Sequence, residues 1–166
     1  MKADFVNSID KINESTWQLL ANSSSPFSSY TFFKALEKSQ SVCNKTGWQP
    51  HHLLCSNKEE VSAILPMYIK QHSWGEYVFD WAWADAYEKH NIPYYPKLVA
   101  TIPFTPISSS KLMTNNIELP QLFPTLTEHC LEQNINSWHI LYTQETHKQE
   151  FKTQNIFNRN TVQFHW

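Results

Sequence analysis

Glycine is the residue type this chain most conspicuously lacks, with two glycines in 166 residues. Gly47 and Gly75 stand far apart, and neither belongs to a G-x-G or G-x-A arrangement. A loop that binds a phosphate through successive backbone N–H groups needs glycines close together at the start of a helix. The sequence therefore argues against a glycine-rich phosphate-binding loop.

Cysteine is sparse and does not occur in a paired pattern. The chain has three cysteines, Cys43, Cys55 and Cys130, and no two of them have C-x-x-C spacing. The odd number and the spacing argue against a disulfide framework and a thiolate zinc site. His51 and His52 lie close to Cys55, but alternation along a strand sends adjacent side chains to opposite faces. We predict a protein of a reducing compartment with no metal site.

Long apolar runs and an excess of one charge are also missing. The net charge of −2, with Lys and Arg scattered singly, provides no basic patch for a nucleic-acid backbone. No apolar run approaches the roughly 20 residues that span a bilayer. The N-terminus lacks the basic and apolar regions of a secretion signal. We expect no DNA partner, no transmembrane segment and a cytoplasmic location.

Aromatic residues are abundant, at 14% of the chain. They concentrate in the segment 72–106, HSWGEYVFDWAWADAYEKHNIPYYPKLVATIPFTP, which holds three tryptophans, four tyrosines and two aspartates. Each buried indole N–H or phenol O–H must find a hydrogen-bond partner. This density exceeds what a plain core needs, so the segment is the first place to search for a functional site.

Hydrophobic periodicity predicts an alternation of helices and strands within one domain. Strands are predicted over Phe5–Ile9, His51–Cys55, Val61–Lys70, Lys97–Ile102, Ser137–Thr143 and Thr161–Trp166; helices are predicted over Glu14–Ala21, Tyr30–Gln40, Trp81–Lys89, Leu119–Cys130 and Glu145–Thr153. Two of these strands flank the residues 56–59 and suggest a hairpin, in which Pro66 indicates a bulge or an edge position. The order predicts an α/β or α+β domain with a central mixed sheet.

Four sequence blocks carry a family resemblance: TGWQPHHL, HSWGEYVFDWAWADAYEKHNIPYYPKL, IPFTP and the closing VQFHW. They resemble a bacterial family of predicted N-acyltransferases, Fem-like and described as peptidoglycan-biosynthesis proteins. The resemblance runs from Pro26 to Trp166. Members of the family are similar to the GNAT superfamily and contain two GNAT-like halves, and this chain resembles the first half.

The resemblance implies a GNAT-like fold and a second GNAT-like half as partner. It implies transfer of an acyl or aminoacyl group, from acyl-CoA or aminoacyl-tRNA, to an amine of a cell-wall precursor or related small molecule. Conventional GNAT domains bind the CoA pyrophosphate with a glycine-bearing loop, which Gly47 and Gly75 cannot build. We therefore expect no cofactor in this half, negligible acetyl-CoA binding and no turnover by the chain alone. Its main role would be acceptor recognition.

Carboxylates inside the aromatic segment are the candidates for chemistry, because N-acyl transfer needs a base for the attacking amine. Asp80, between Phe79 and Trp81, is the first candidate, since burial among rings raises the pKa of a carboxyl. Asp85 is the second. The candidate substrate-binding residues are Glu76, Tyr77, Trp81, Trp83, Tyr87, Tyr95 and Lys97.

Each candidate has a structural alternative. Asp80 can be a helix cap or a buried hydrogen-bond acceptor, Trp81 and Trp83 can be core residues, and Lys97 can be a surface lysine at the end of a loop. Asp85 and Glu88 can be solvated on one helix face. Ser108, Ser109 and Ser110 belong to no G-x-S-x-G motif and do not support a catalytic triad.

Two functions remain open from the sequence. One is the N-terminal half of a Fem-like N-acyltransferase; the other is a non-catalytic module that binds a glycan or peptide through an aromatic cleft. A further expectation concerns Val162, Phe164 and Trp166, which form an apolar row on the predicted strand Thr161–Trp166. Such a row needs covering, so we expect a homo-oligomer through this strand.

Overall fold

The structure is a computed structural model that describes residues 1–21, 25–58, 60–145, 151, 154 and 156–160. The strands are β1 Lys2–Val6, β2 Trp48–Pro50, β3 His52–Asn57, β4 Glu60–Leu65, β5 Met67–Lys70, β6 Lys97–Ala100, β7 Met113–Thr114 and β8 Ser137–Ile140; the helices are α1 Glu14–Ala21, α2 Tyr30–Lys38, α3 Trp81–Lys89 and α4 Phe123–Glu132. The predicted mixture of helices and strands is confirmed. The predicted helix Glu145–Thr153 lies largely, and the strand Thr161–Trp166 wholly, outside the described residues.

The strands of the described residues form two four-stranded sheets. The first has the order β1-β3-β4-β7 and is antiparallel throughout, and the second has the order β2-β5-β6-β8. In the second sheet β6 and β8 run parallel, with α4 between them in the chain, while the other pairs are antiparallel. A mixed sheet is thus present, but the strands are divided between two sheets instead of one central sheet.

Pro66 marks the point where the long hairpin passes from one sheet to the other. The predicted single strand Val61–Lys70 is two strands, β4 and β5, because proline has no N–H to donate to the ladder. The register is nevertheless the same on both sides of the break, since Leu53 pairs with Leu65 and Pro50 with Tyr68. The hairpin prediction is confirmed.

His52 repairs the backbone hydrogen bonding beside this break. Its side chain is fully buried, and its Nδ1 accepts the Met67 N–H at 3.2 Å. A neutral ring that accepts at Nδ1 carries its proton on Nε2, which lies 3.0 Å from Glu37 Oε1. Glu37 also accepts the Ile9 N–H and the Ser8 hydroxyl. The Glu37 carboxylate therefore links α2 to His52 of β3 and to the residues that follow β1.

We expect His52→Leu to lower the free energy of unfolding by about 1–3 kcal/mol, because the buried Met67 N–H loses its acceptor. Urea unfolding followed by fluorescence measures the change. His90→Leu is the control, since His90 is exposed and surface substitutions usually stay within about 0.5 kcal/mol. Equal urea midpoints for the wild type and His52→Leu would contradict this role.

Two hydrophobic cores lie on opposite faces of the sheets, because successive strand residues point to opposite sides. Leu65 and Met67 join the core that contains Leu122 and Leu126 from the α4 region. Ile64 and Tyr68 join the core that contains residues of α1 and α2, among them Trp17 and Phe33. This division leaves α3 apart, since none of its residues is buried.

Local sequence explains where the helices begin. The Asn13 side chain accepts the N–H groups of Ser15 and Thr16 at the start of α1, and Ser29 Oγ accepts the Phe32 N–H at the start of α2. Both are N-cap arrangements. Asp80 precedes α3 but makes no capping hydrogen bond. Its carboxylate is therefore available for the contacts described next.

Candidate functional site

Lys97 is the centre of a buried polar cluster at one end of the second sheet. β5 and β6 are antiparallel with Lys70 opposite Lys97, so the residues that follow β5 meet those that precede β6. Ser73, Glu76 and Asp80 come from the connection between β5 and α3, and Tyr94 and Tyr95 come from the approach to β6. We call these six residues the Lys97 cluster: Ser73, Glu76, Asp80, Tyr94, Tyr95 and Lys97.

The Lys97 ammonium group donates three hydrogen bonds. Its Nζ lies 2.7 Å from Ser73 Oγ, 2.8 Å from Glu76 Oε2 and 2.7 Å from Asp80 Oδ2. The side chains of Lys97, Glu76 and Asp80 are all at most 5% exposed. Burying charges is costly unless they are paired and hydrogen-bonded. The alternative that Lys97 is a surface lysine is therefore wrong.

Asp80 receives further hydrogen bonds on the same oxygen. The Ser73 hydroxyl donates to Asp80 Oδ2 at 2.8 Å, and the Tyr94 hydroxyl donates to it at 2.9 Å. The Tyr95 hydroxyl lies 2.8 Å from Ser73 Oγ. Because the Ser73 hydroxyl donates its one proton to Asp80, the Tyr95 hydroxyl is the donor to Ser73 Oγ. These contacts fix the orientation of the Asp80 carboxylate.

The two carboxyl groups differ in pKa. Burial acts to raise the pKa of Asp80, but the hydrogen bond and charge of Lys97, together with the hydroxyls of Ser73 and Tyr94, lower it below its usual value. The expected rise for Asp80 is therefore wrong, because the sequence does not show these partners. Burial raises the pKa of Glu76, and the opposing charges of Lys97 and Lys70 do not cancel that effect.

Each carboxyl group keeps one oxygen without a partner. Among the described residues, Glu76 Oε1 and Asp80 Oδ1 are buried and accept no hydrogen bond. Buried polar atoms are nearly always satisfied in native proteins, and an exception calls for an explanation. Both oxygens are therefore free to accept a hydrogen bond from a bound group or an ordered water.

A second buried lysine lies beside the cluster. Lys70 Nζ sits 3.5 Å from the centre of the Trp48 ring and donates to the Trp74 carbonyl at 3.2 Å. Burial, opposed by the Glu76 charge and assisted by that of Lys97, lowers the pKa of Lys70 to about 7. Gly75, with φ +79°, keeps this region compact, because a Cβ there would come within 2.7 Å of the Phe104 ring.

A cavity of about 620 Å³ adjoins the Lys97 cluster. Four members of the cluster line it: Glu76, Asp80, Tyr94 and Lys97. The remaining lining residues include Val78, Trp83, Tyr87, Ser108, Ser137, Trp138, His139, Leu141, Tyr142 and Arg159. The volume falls in the range of small-molecule sites, which combine mostly apolar walls with a few placed polar groups. The cavity is therefore large enough for a small-molecule ligand.

His139 and Ser137 add a neutral hydrogen-bonding edge to the cavity. The Ser137 hydroxyl lies 2.8 Å from His139 Nε2, and the His139 ring meets that of Tyr94 edge-on at 6.2 Å. Burial, with the charge of Lys97, lowers the pKa of His139 to about 4. The imidazole is consequently uncharged near neutral pH.

The structure brings together six of the nine residues proposed from the sequence. Asp80, Glu76, Trp83, Tyr87 and Lys97 all line the cavity. Tyr95 joins the cluster through Ser73. Trp83 is 43% exposed and packs against Phe157, with ring centres 5.5 Å apart. The core alternative is therefore wrong for Trp83.

The other three proposed residues lie elsewhere. Asp85 is exposed on α3 and has no hydrogen bond or ion pair among the described residues. Tyr77 and Trp81 are 57% and 62% exposed, so Trp81 is no more a core residue than Trp83. Tyr77 and Trp81 do not line the cavity. The Tyr77 backbone carbonyl, in contrast, accepts the Tyr142 hydroxyl at 2.7 Å.

Sequence reasoning missed Ser73, Tyr94, Ser137 and His139. Tyr94 belongs to the aromatic segment, so its proximity to Asp80 needed only the fold to be recognised. Ser137 and His139 alternate in a predicted strand, which is a weak sign of a shared face. Nothing in the sequence distinguishes Ser73 from other loop serines.

The described part of the chain shows no grouping of three or more His, Cys, Asp or Glu side chains that could hold a metal ion. Within the same residues, every helix is too short or too polar to cross a bilayer.

Comparison with known proteins gives one match. No curated protein and no solved structure matches the chain. The FemAB-like family model, described as peptidoglycan biosynthesis/recognition, matches residues 8–166 and therefore includes the whole Lys97 cluster and its cavity. The chain belongs to this FemAB-like family and has a role in peptidoglycan biosynthesis or recognition.

Proposed function

We propose that this chain is the acceptor-binding half of a Fem-like N-acyltransferase that acts on an amine of a cell-wall precursor. The observation that carries the proposal is the pair of unpartnered carboxylate oxygens, Glu76 Oε1 and Asp80 Oδ1, in residues that line a cavity of about 620 Å³. Each oxygen can accept an N–H of an ammonium group. Hydrogen bonds of this charged kind are the stronger ones in proteins.

The walls of the cavity suit the rest of such an acceptor. Trp83 and Tyr87 supply ring faces, and Ser137 and His139 supply hydrogen-bonding groups on the same cavity. A peptide or sugar body would lie against these residues while its amine reaches Glu76 and Asp80. The fold also supports the proposal, because parallel β6 and β8 with α4 between them agree with the GNAT-like half that the family resemblance implies.

The acyl donor belongs to the same proposal. We infer that acyl-CoA or aminoacyl-tRNA binds chiefly outside this half, since Gly47 and Gly75 do not build a phosphate-binding loop. A second GNAT-like half would complete the active site, and catalysis requires both halves because it depends on their relative position.

A binding comparison tests the acceptor. The probes are a peptidoglycan stem peptide with a free side-chain amine and the same peptide N-acetylated at that amine. We expect the free amine to bind at least about tenfold more tightly, the equivalent of 1.4 kcal/mol, and to shift the NMR signals of the Trp83 indole and Tyr87 ring. Acetylation removes the charge that the two carboxylates recognise.

The second candidate function is a non-catalytic glycan-binding module. The exposed rings of Trp81 and Trp83 favour it, because aromatic faces stack on sugars. A chitooligosaccharide is the probe for this function. Tight binding of that glycan, together with equal affinities for the amine and N-acetylated peptides, would replace the acyltransferase proposal with the binding module.

A further inference from the structure

The two carboxylates of the Lys97 cluster are held very differently. Asp80 Oδ2 accepts hydrogen bonds from Lys97, Ser73 and Tyr94. Glu76 Oε2 accepts one, from Lys97. Both carboxyl groups are within 2.8 Å of the same Lys97 nitrogen, so they are immediate neighbours. Neighbouring titratable groups in unlike environments commonly divide the acid and base roles between them.

We propose that Glu76 accepts the proton of the acceptor's ammonium group, while Asp80 remains ionised as a fixed anchor for that group. This assignment rests on the proposed function and extends it. It exchanges the roles that the sequence favoured, in which Asp80 was the base and Glu76 a binding residue. The reason is the set of three donors on Asp80, which stabilises its charged form.

The proton and electron pairs balance with an activated ester or thioester as acyl donor. The ammonium group passes one proton to the Glu76 carboxylate and becomes a neutral amine. The amine lone pair forms the new C–N bond at the acyl carbon, and the C–O or C–S bond breaks with its electron pair on the leaving group. Glu76 returns its proton to that leaving group. The amide nitrogen loses its second proton to solvent.

The surroundings of Glu76 support this role. Burial, the largest influence, raises the pKa of Glu76; the charges of Lys97 from β6 and Lys70 from β5 oppose the rise, and the Asp80 charge adds to it. His139, on β8, has its pKa lowered to about 4 by burial, and burial also raises that of Tyr94. Burial lowers the pKa of His72 as well. Farther along the cavity, Glu145 and Arg159 are the remaining charged lining residues.

The raised pKa of Glu76 gives ammonium binding a specific pH dependence. At low pH Glu76 is protonated and only Asp80 carries a negative charge. As the pH rises through the raised pKa, Glu76 ionises and strengthens the site for a cation. Asp80, with its lowered pKa, is ionised throughout this range and contributes no such rise. Lys70, with a pKa of about 7, is a neighbouring group that titrates near neutral pH and needs its own control.

The experiment uses the whole chain and n-pentylammonium chloride as probe. Affinity is measured by calorimetry between pH 5 and pH 8, and carboxyl titrations are followed by ¹³C NMR. We expect the affinity of the wild type to rise at least about threefold as Glu76 ionises, with its midpoint at the Glu76 carboxyl titration observed by NMR. The affinity of Glu76→Gln for the probe should vary by less than about twofold over the same pH range.

Three control variants separate the neighbours. Lys70→Met should keep the rise with pH, whereas Glu88→Gln, an exposed residue of α3, should match the wild type. Tyr94→Phe should raise the pKa of Asp80 and leave the midpoint of binding at Glu76. The assignment would be overturned if the affinity still rose with pH in Glu76→Gln, or if that rise were lost in Lys70→Met. It would also be overturned if the Asp80 carboxyl titrated at higher pH than Glu76, or if the probe did not bind at any pH.

The outcomes also separate this assignment from the proposed function. Binding of pentylammonium with the expected profile, but no preference for the amine stem peptide, would contradict the acceptor proposal and leave Glu76 as the proton partner of an amine. If the protein clearly prefers the amine peptide but Asp80 titrates at higher pH than Glu76, the assignment alone is contradicted.

Discussion

Lys97→Met is expected to lower the free energy of unfolding by about 3–5 kcal/mol at pH 8, the usual cost of removing one partner of a buried ion pair. The substitution keeps an apolar stem of similar length but removes the ammonium group that neutralises Glu76 and Asp80. Two buried carboxyl groups would then share the site without a cation bonded to either. The variant should therefore be among the least stable single substitutions in the second sheet.

The sign of the pH effect identifies the cause of this loss. Without Lys97 the folded-state pKa values of both carboxyls rise, so the folded protein is penalised as pH increases and recovers as they protonate. The loss in Lys97→Met should accordingly shrink from pH 8 to pH 5. Urea unfolding at both pH values measures it, with Lys89→Met on the exposed face of α3 as control. A loss that is equal or larger at pH 5 would contradict the buried ion cluster.

Asp80→Asn is expected to weaken binding of the amine stem peptide by at least about thirtyfold, the lower end of the roughly 2–5 kcal/mol typical of truncating one partner of a buried charge pair. The amide removes the fixed negative charge while keeping the size of the side chain. Asp85→Asn is the comparison variant, because it makes the same change on the exposed side of α3. We expect it to bind like the wild type, which would decide between the two carboxylates that the sequence named.

Calorimetric titration of both variants at neutral pH measures the effect, and circular dichroism establishes that each variant is folded. Asp80→Asn also leaves Lys97 with Glu76 as its one carboxylate partner, so a moderate loss of stability accompanies the loss of affinity. Unchanged affinity in folded Asp80→Asn, or an equal loss in Asp85→Asn, would contradict the site.

Local pattern predicted most of the elements because their signals are local. The helices Glu14–Ala21 and Trp81–Lys89 have the predicted bounds, since the pattern that predicts each of them lies within about ten consecutive residues. The leading strand was predicted too late in the chain, and it occupies Lys2–Val6. The predicted helix Leu119–Cys130 is divided: its first four residues, Leu119–Leu122, form a short 3-10 helix, and the α-helix that follows is Phe123–Glu132. Element ends depend on contacts that the pattern does not contain.

The site was harder to predict because its chemistry depends on partners distant in sequence. The aromatic segment correctly marked the region of Glu76, Asp80 and Lys97. The lowered pKa of Asp80, however, comes from Lys97, Ser73 and Tyr94, which only the antiparallel pairing of β5 and β6 brings together. Burial alone predicts a raised value, and the sequence offers no sign of how many donors a carboxylate will meet.

The exposure of the aromatic residues on α3 was also not evident from the sequence. Trp81 and Trp83 were proposed as substrate-binding residues with core packing as the alternative, since tryptophan is mostly buried on average. Both core clusters are instead supplied by the two faces of the sheets, and α3 contributes no buried residue to either. Which amphipathic helix joins the core is a tertiary property.

A structure of the chain bound to the amine stem peptide tests the central claim most directly. The account predicts that the side-chain nitrogen lies within hydrogen-bond distance, about 2.7–3.2 Å, of both Glu76 Oε1 and Asp80 Oδ1. The peptide body should contact Trp83 and Tyr87. A complex in which the amine points to solvent, or binds away from the Lys97 cluster, would contradict the account.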